Sequence, residues 1–349
     1  MIIEEKIKIK IESFNLYLNI IGGHSLFIEI DKNHLIKSSN ESEINFYKFS
    51  SIKKFTPKFF GIIEKNSIFF HLISNYVHQL KLFFKYFLLK YKLNDDFINI
   101  ENDENFPSIF NSFIFNEKKI ININELLPSF FLLEKKLLNL YENNSNKFKW
   151  ILFWFVKWNK NFLKNHFIII ENLTNKMIQP AIIDIKLGNS PKINKKSNEI
   201  KIFNGAINEI GCRIMGIQKQ NVFLNKYDTK NFSLNEFKKI LNVFFDKKDL
   251  IQMILFKIVK IIDEIKNVKI NINFSSLLII YDEKIENKKI SLNLIDFSFI
   301  EENKNNNNNL IEPIKNFMNI LKEIENFNEI KFEIKSNCLE KIQKNFYFN

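Results

Sequence analysis

The stretch Pro180-Ala-Ile-Ile-Asp184-Ile-Lys186-Leu-Gly188 constrains this chain more than any other. Its side chains sort by face with the two-residue period of a strand. Ala181, Ile183, Ile185 and Leu187 point into a core, and Ile182, Asp184 and Lys186 point the other way. A carboxylate and an ammonium then sit two residues apart on one face, roughly 6–7 Å between Cα atoms. Opposite charges at the mouth of a buried strand suit phosphoryl transfer from a nucleotide, where catalysis is mostly positioning and charge neutralisation. A surface strand with an incidental ion pair is the alternative reading of this segment.

A hairpin makes the second constraint. The apolar runs Phe274–Tyr281 and Ile290–Asp296 flank a polar turn, Asp282–Lys289. That turn and the pair Ser275/Asp296 share one midpoint in the sequence. An antiparallel register therefore places Asp296 opposite Ser275 at the open end. A carboxylate ending an apolar strand (Leu292, Leu294, Ile295) serves either to bind a cation or to cap the next turn. The hydroxyls of Ser275 and Ser276 would support a magnesium ion or a phosphate from across the ladder.

With 349 residues, 46% of them hydrophobic, the chain can hold one large domain or two lobes. The net charge of +12 is nearly all lysine, and Arg213 is the only arginine. Phe, Ile, Lys and Asn are heavily used, which reads as the codon bias of an AT-rich genome more than as selection by a polyanion. Scattered lysines without an arginine–aromatic cluster lead us to expect no nucleic-acid partner, which would show as tight, salt-sensitive binding. The charge still suits a highly phosphorylated small substrate. Cys212 and Cys338 make no metal or disulfide framework. Met1-Ile-Ile-Glu-Glu-Lys has no apolar signal core, and no uncharged apolar run spans a bilayer. A monomer of the cytoplasm or nucleus, without membrane attachment, is the expectation.

Alternation predicts strands over 5–11 and 25–37, the latter turning at Asp31-Lys-Asn-His34. A short helix is expected over 41–49, capped by Asn40 or Ser42. Residues 62–149 carry no identifiable chemistry, and helical stretches such as His78–Lys92 read as an insertion. Trp150, Trp154 and Trp158 fall on one helix face and read as core. His166–Glu171 is a strand, Lys192–Lys201 a lysine-rich connector, and residues 231–266 two helices. Asn305–Asn309 reads as a loop before a last helix at about 312–325.

The fixed positions Pro180, Asp184, Lys186 and Gly188 match P-x-x-x-D-x-K-x-G, and here the chain resembles the inositol polyphosphate kinases. Ser275-Ser276-Leu277-Leu278 followed by Ile295-Asp296-Phe297 is similar to that family's second conserved pair. Gly22-Gly23-His24, Lys37, Glu43-x-x-Phe46-Tyr47 and Phe55-Thr-Pro-x-x-x-Gly61 come in the order of its inositol hexakisphosphate kinase branch. Glu171-Asn-Leu-Thr174 looks like its hinge between lobes, and Gly211-Cys-Arg213-x-x-Gly216-x-Gln218 like another of its segments. Six of the seven glycines fall where the family pattern has glycine; Gly205 does not.

The resemblance implies an α+β, two-lobed kinase-like fold, with antiparallel sheets in each lobe and a nucleotide cleft between them. Residues 1–173 would form the N-lobe, with its insertion at about 62–149 and the hinge, and 174–349 the C-lobe. It implies ATP and Mg²⁺ as cofactors and an inositol phosphate as substrate. Lys37 would reach the nucleotide phosphates, with Glu43 to hold it as in protein kinases. The backbone at Glu171 and Leu173 would read the adenine edge. Asp296 would hold the metal, and Lys186 would act on the transferred phosphoryl. Asp184 would orient or deprotonate an attacking hydroxyl, or serve metal binding or orientation where the acceptor is itself a phosphate. Lys192, Lys195, Lys196 and Lys201 are available to grip ring phosphates. Arg213 either pairs with a phosphate or braces the fold. The chain departs from the family after Asp296, where Glu301-Glu-Asn-Lys and the asparagine tract replace a D-x-G segment. The multikinase branch is the second reading, favoured by Glu209-Ile-Gly211 and the short connector. An inactive inositol-phosphate-binding module is the third.

Overall fold

The computed structural model describes residues 14–21, 27–49, 52–64, 67–91, 93, 129–161, 166–188, 192–193, 200–201, 205–266, 270–285, 290–302 and 309–327. The expected strand at 5–11 and most of the asparagine tract lie outside them. The chain divides into two compact units, Met1–Asn40 with Phe59–Asn172, and Glu41–Lys58 with Leu173–Asn349. Each is α+β and is built on an antiparallel five-stranded sheet.

In the first unit the strands are β1 (Asn15–Leu16), β2 (Phe27–Asp31), β3 (His34–Ser39), β4 (Phe59–Ile63) and β5 (His166–Glu171), in the order β1-β2-β3-β5-β4. The β2–β3 turn falls where the sequence places it, because the Asp31 carboxylate accepts from the Asn33 and His34 N–H groups at 2.7 and 3.0 Å. Helix Ile68–Lys90 begins well before the expected His78. Ser67 caps it, accepting from the Phe70 N–H at 3.1 Å, and the buried residues Phe70, Ile73, Val77, Leu80, Phe84, Phe87 and Leu88 recur at helical spacing. Helices Ser129–Asn143 and Ser145–Asn161 meet at Asn144, whose side chain caps the second through the Lys147 N–H at 3.1 Å. Trp150 and Trp154 are buried edge-to-face at 5.4 Å. The expected core stripe is present there; the Trp158 side chain lies outside the described residues.

The strands of the second unit are β6 (Pro180–Leu187), β9 (Cys212–Lys219), β10 (Val222–Leu224), β12 (Ser276–Asp282) and β13 (Ser291–Ile295), in the order β10-β9-β6-β12-β13. Two small ladders accompany it, β7 (Lys192–Ile193) with β8 (Ile200–Lys201) and β11 (Ile270–Asn273) with β14 (Phe299–Glu302). Helices Leu234–Phe244 and Ile311–Phe327 contact β9, and helix Lys248–Lys266 packs on the latter. Ser233 and Glu236 form a capping box that starts helix Leu234–Phe244. The buried Lys219 ends it, its Nζ donating to the Val243 and Phe244 carbonyls at 2.9 and 3.1 Å.

Residues 41–58, expected with the N-terminal lobe, pack instead with the second unit. Helix Glu41–Phe49 lays Phe46 flat on Phe297 at 3.6 Å, and the Ser42 hydroxyl donates to the Phe297 carbonyl at 3.5 Å. The reason is area: Ile44, Phe46 and Tyr47 are all buried, and the apolar side of a short helix follows the surface that covers it.

Candidate functional site

The site is built on one face of the second sheet. Ala181, Ile183, Ile185 and Leu187 are fully enclosed on the helix-covered face. Lys186 and Asp184 stand on the other, where β12 pairs Ser276 with Lys186 and Leu278 with Asp184. On the other side β9 pairs Arg213 with Lys186 and Gly216 with Asp184, across a bulge between Asp184 and Ile185. Directly opposed residues share a face. Arg213, Lys186, Ser276 and Asp184 are therefore neighbours, with Asn293 on the next strand across from Leu278.

The hairpin has the register read from its midpoint. Ser276 pairs with Ile295, so Ser275 and Asp296 fall opposite one another just past the ladder. Both flanks bend sharply there: Phe274 (φ +57°) and Asp296 (φ +64°) are left-handed non-glycine residues. Such a conformation costs of order 1–2 kcal/mol and aims a side chain where regular strand geometry would not. Asp296 so bent approaches Lys186, Oδ2 to Nζ at 3.9 Å, with both side chains partly exposed.

Asp184 is the buried member, and its Oδ1 has no hydrogen-bond partner. Burial pushes its carboxyl up to about 7, and the nearby Asp296 carboxylate adds to the rise. Lys186, the Ser276 hydroxyl and Arg213 oppose it. Two carboxylates, one of them unsatisfied, make a hard-oxygen donor set that suits a magnesium ion. Among the described residues no group of three or more His, Cys, Asp or Glu side chains gathers to hold a metal by itself. One or two carboxylates completed by substrate phosphates is the usual way magnesium is held.

The other expected site residues fall as follows. Ser275 is fully buried and its hydroxyl donates to the Ile295 carbonyl at 2.7 Å. The clasp occupies the hydroxyl's proton across the hairpin end and leaves its oxygen lone pairs for a cation. Lys37 lies buried on β3 of the first unit, between Phe27 and Ile168, and Glu171 ends β5 opposite His34. Glu43 is buried on helix Glu41–Phe49 of the second unit, and Leu173 opens the turn that follows Asn172. Lys192 and Lys201 pair across β7 and β8, with their side chains outside the described residues. Lys195 and Lys196 lie wholly outside them.

Two residues that hold the frame escaped the sequence reading. Asp282 is buried at the closed end of the hairpin and accepts from the N–H groups of Ile178, Gln179 and Lys284 at 2.6, 3.1 and 3.0 Å. It ties the segment entering β6 to the sheet. Its signal was an aspartate at the last strand position before a turn. Asn172 lay inside the recognised Glu-Asn-Leu-Thr run, where only its neighbours were given roles.

Residues 167–322 match the family model described as inositol polyphosphate kinase. Over 136 residues the chain is 32% identical to inositol hexakisphosphate kinase 2 of Homo sapiens, covering 34% of this chain and 32% of that protein. The Mus musculus protein of that name is 32% identical, with 34% and 30% covered. The chain thus spans about a third of the length of these curated relatives. Among solved structures it is similar to the inositol phosphate multikinase of S. cerevisiae in complex with ADP and Mn²⁺. That likeness has a TM-score of 0.38 and 18% identity, covering 46% of this chain and 84% of that one.

Proposed function

We propose an activity for this chain, which through residues 167–322 belongs to the inositol polyphosphate kinase family: it transfers the γ-phosphoryl group of ATP to a highly phosphorylated inositol, with Mg²⁺ as the metal. The observation that carries the reading is Lys186 and Asp296 at 3.9 Å beside the buried Asp184, whose carboxyl burial pushes up to about 7. A lone structural ion pair has no use for the second carboxylate or for the left-handed backbone at Asp296.

In this reading Asp296, with Asp184 behind it, would hold the cation. When bound, the metal supplies charge neutralisation on the nucleotide phosphates. Lys186 holds the transferring phosphoryl by charge, a role for a compact ammonium. Asp184 is poised near neutrality, so it can accept a proton from an attacking inositol hydroxyl. A phosphate acceptor arrives already ionised and asks only orientation of Asp184. Lys37 would bear on the nucleotide phosphates, and Arg213 with the connector lysines on the inositol phosphates.

Inositol hexakisphosphate is the favoured acceptor. The order of the N-terminal motifs and the 32% identity to the hexakisphosphate kinase 2 proteins support it. The test is incubation of the full chain with ATP, Mg²⁺ and a panel of inositol phosphates carrying three to six phosphates. A gain of one phosphoryl mass on the hexakisphosphate is the expected result. Gain on tris- or tetrakisphosphates only would favour the multikinase reading. Tight binding without any mass gain would leave an inactive binding module.

A further inference from the structure

We propose that Asn172 is a positioning residue for nucleotide recognition: it clips the linker peptides at residues 171–173 onto the hairpin that carries Lys37. The inference rests on the nucleotide-binding reading above. The turn closing β2 and β3 has Lys32 and Asn33 at its apex, folded by the Asp31 carboxylate. His34 Nδ1 lies 2.7 Å from that same carboxylate, which stiffens the turn further.

Both apex carbonyls accept from a single residue. The Asn172 N–H donates to the Asn33 carbonyl at 2.7 Å, and its side-chain Nδ2 donates to the Lys32 carbonyl at 3.1 Å. The β3–β5 ladder ends with the His34/Glu171 pair. Asn172 thus adds one backbone bond beyond the ladder and a second, side-chain bond to the turn itself.

The chemistry asks for asparagine. An aspartate would turn acceptors toward a carbonyl, an alanine offers no donor, and a glutamine carries its amide one carbon too far. Asn172 is itself buried, so its amide is aligned by its surroundings as well as by the bond. The consequence falls on its neighbours. The Glu171 carbonyl and the Leu173 N–H flank the clip, and these are the groups expected to read the base edge. From the same turn runs β3, which bears Lys37. Base reading and phosphate contact then hang from one braced turn, and loosening the clip blurs the first.

The experiment is calorimetric titration of the full chain with Mg·ADP and Mg·GDP, for the wild type, Asn172→Asp and Asn172→Ala. The expected result is about tenfold weaker Mg·ADP binding in both variants and an ADP-over-GDP preference reduced by a similar factor. In turnover assays the KM for ATP should rise while kcat stays within about twofold and the KM for the inositol phosphate is unmoved. A residue that only stabilises the fold would lower the active fraction without touching the base preference. Should Asn172→Ala fail to fold, Asp31→Ser at the far side of the same turn carries the test, and it should show the same loss of preference. Variants that keep the wild-type affinity and ADP-over-GDP ratio overturn the proposal. So does a wild type indifferent to the base. A wild type that prefers ADP but phosphorylates no inositol phosphate sinks the kinase reading and leaves this inference standing.

Discussion

Lys186 and Asp296 face each other at 3.9 Å because one residue, Ser276, pairs with both of their strands. On one side Ser276 opposes Lys186, and on the other it opposes Ile295. Asp296 is the next residue along, and its left-handed φ of +64° brings it to the lysine. The pair is therefore set by two ladders and one bend.

Asp296→Asn separates charge from backbone in this pair. Asparagine also tolerates the left-handed region, so the melting temperature should stay near wild type. Activity should fall on the order of a hundredfold or more, with a higher demand for Mg²⁺. A variant retaining full turnover and an unchanged Mg²⁺ requirement would overturn the proposed metal role of Asp296.

The Asp184 carboxyl, raised from 3.8 to about 7, makes stability depend on pH with a definite sign. The folded protein holds this proton where the unfolded chain has released it. The contribution is complete below pH 3.8 and is lost as pH rises through about 7. At about 1.4 kcal/mol per pH unit its ceiling is about 4 kcal/mol. Denaturant unfolding at pH 5 and pH 8 should show Asp184→Asn gaining on the wild type at the higher pH. Parallel curves for the two proteins would contradict the buried, raised carboxyl.

On the proposed function, a divalent cation bound with nucleotide beside Asp184 would favour its ionised form. At pH 6.5 the wild type should release up to about three-quarters of a proton on binding Mg·ADP. Calorimetry in two buffers of different ionisation enthalpy measures this directly. Asp184→Asn should abolish the difference between the buffers, and its persistence in the variant would point to another group.

Gly205 is the glycine outside the family pattern, yet among the described glycines it has the tightest steric need. Its φ is +92°, and an added Cβ would stand 2.4 Å from the Phe232 carbonyl oxygen. That oxygen accepts from the Ala206 N–H at 2.8 Å and cannot retreat freely. Gly205→Ala should destabilise the chain by about 2 kcal/mol or more, read as a shift in the denaturation midpoint. A shift within experimental scatter would mean that the Phe232 loop yields.

Phe46→Ala tests the placement of residues 41–58. Phe46 and Phe297 are both buried and stack at 3.6 Å, and Phe297 follows Asp296. Truncation should lower stability by about 3–5 kcal/mol. Phe46→Leu, which keeps most of the volume, should recover most of it. Near-neutral values for both would place the helix elsewhere.

Local rules carried the sequence reading a long way. The alternation of 180–188 sorted the two faces of β6, although Ile182 and Asp184 on the second face are buried as well, and the shared midpoint of turn and flanks named the register of β12 and β13. Asp31 announced a turn through its own side chain. These features depend on residues near one another in the chain, where side-chain period and turn chemistry leave few options. Helix Ile68–Lys90 was legible in kind but not in length, because its cap at Ser67 has no glutamate partner to advertise it.

What the chain's order of residues determined by itself is strands β2, β3, β5, β6, β12 and β13, their faces and the charges aligned on them; β1, β4, β9 and β10 were not legible in it. Tertiary structure alone decided that the Asp184 carboxyl is raised toward neutrality, since a carboxyl's pKa follows the loss of water and the charges brought from other strands. It decided likewise that residues 41–58 pack with the second unit, that Ser275 spends its proton on a carbonyl, and that Gly205 must lack a side chain. Burial and close approach belong to groups far apart in the chain, and no local pattern encodes them.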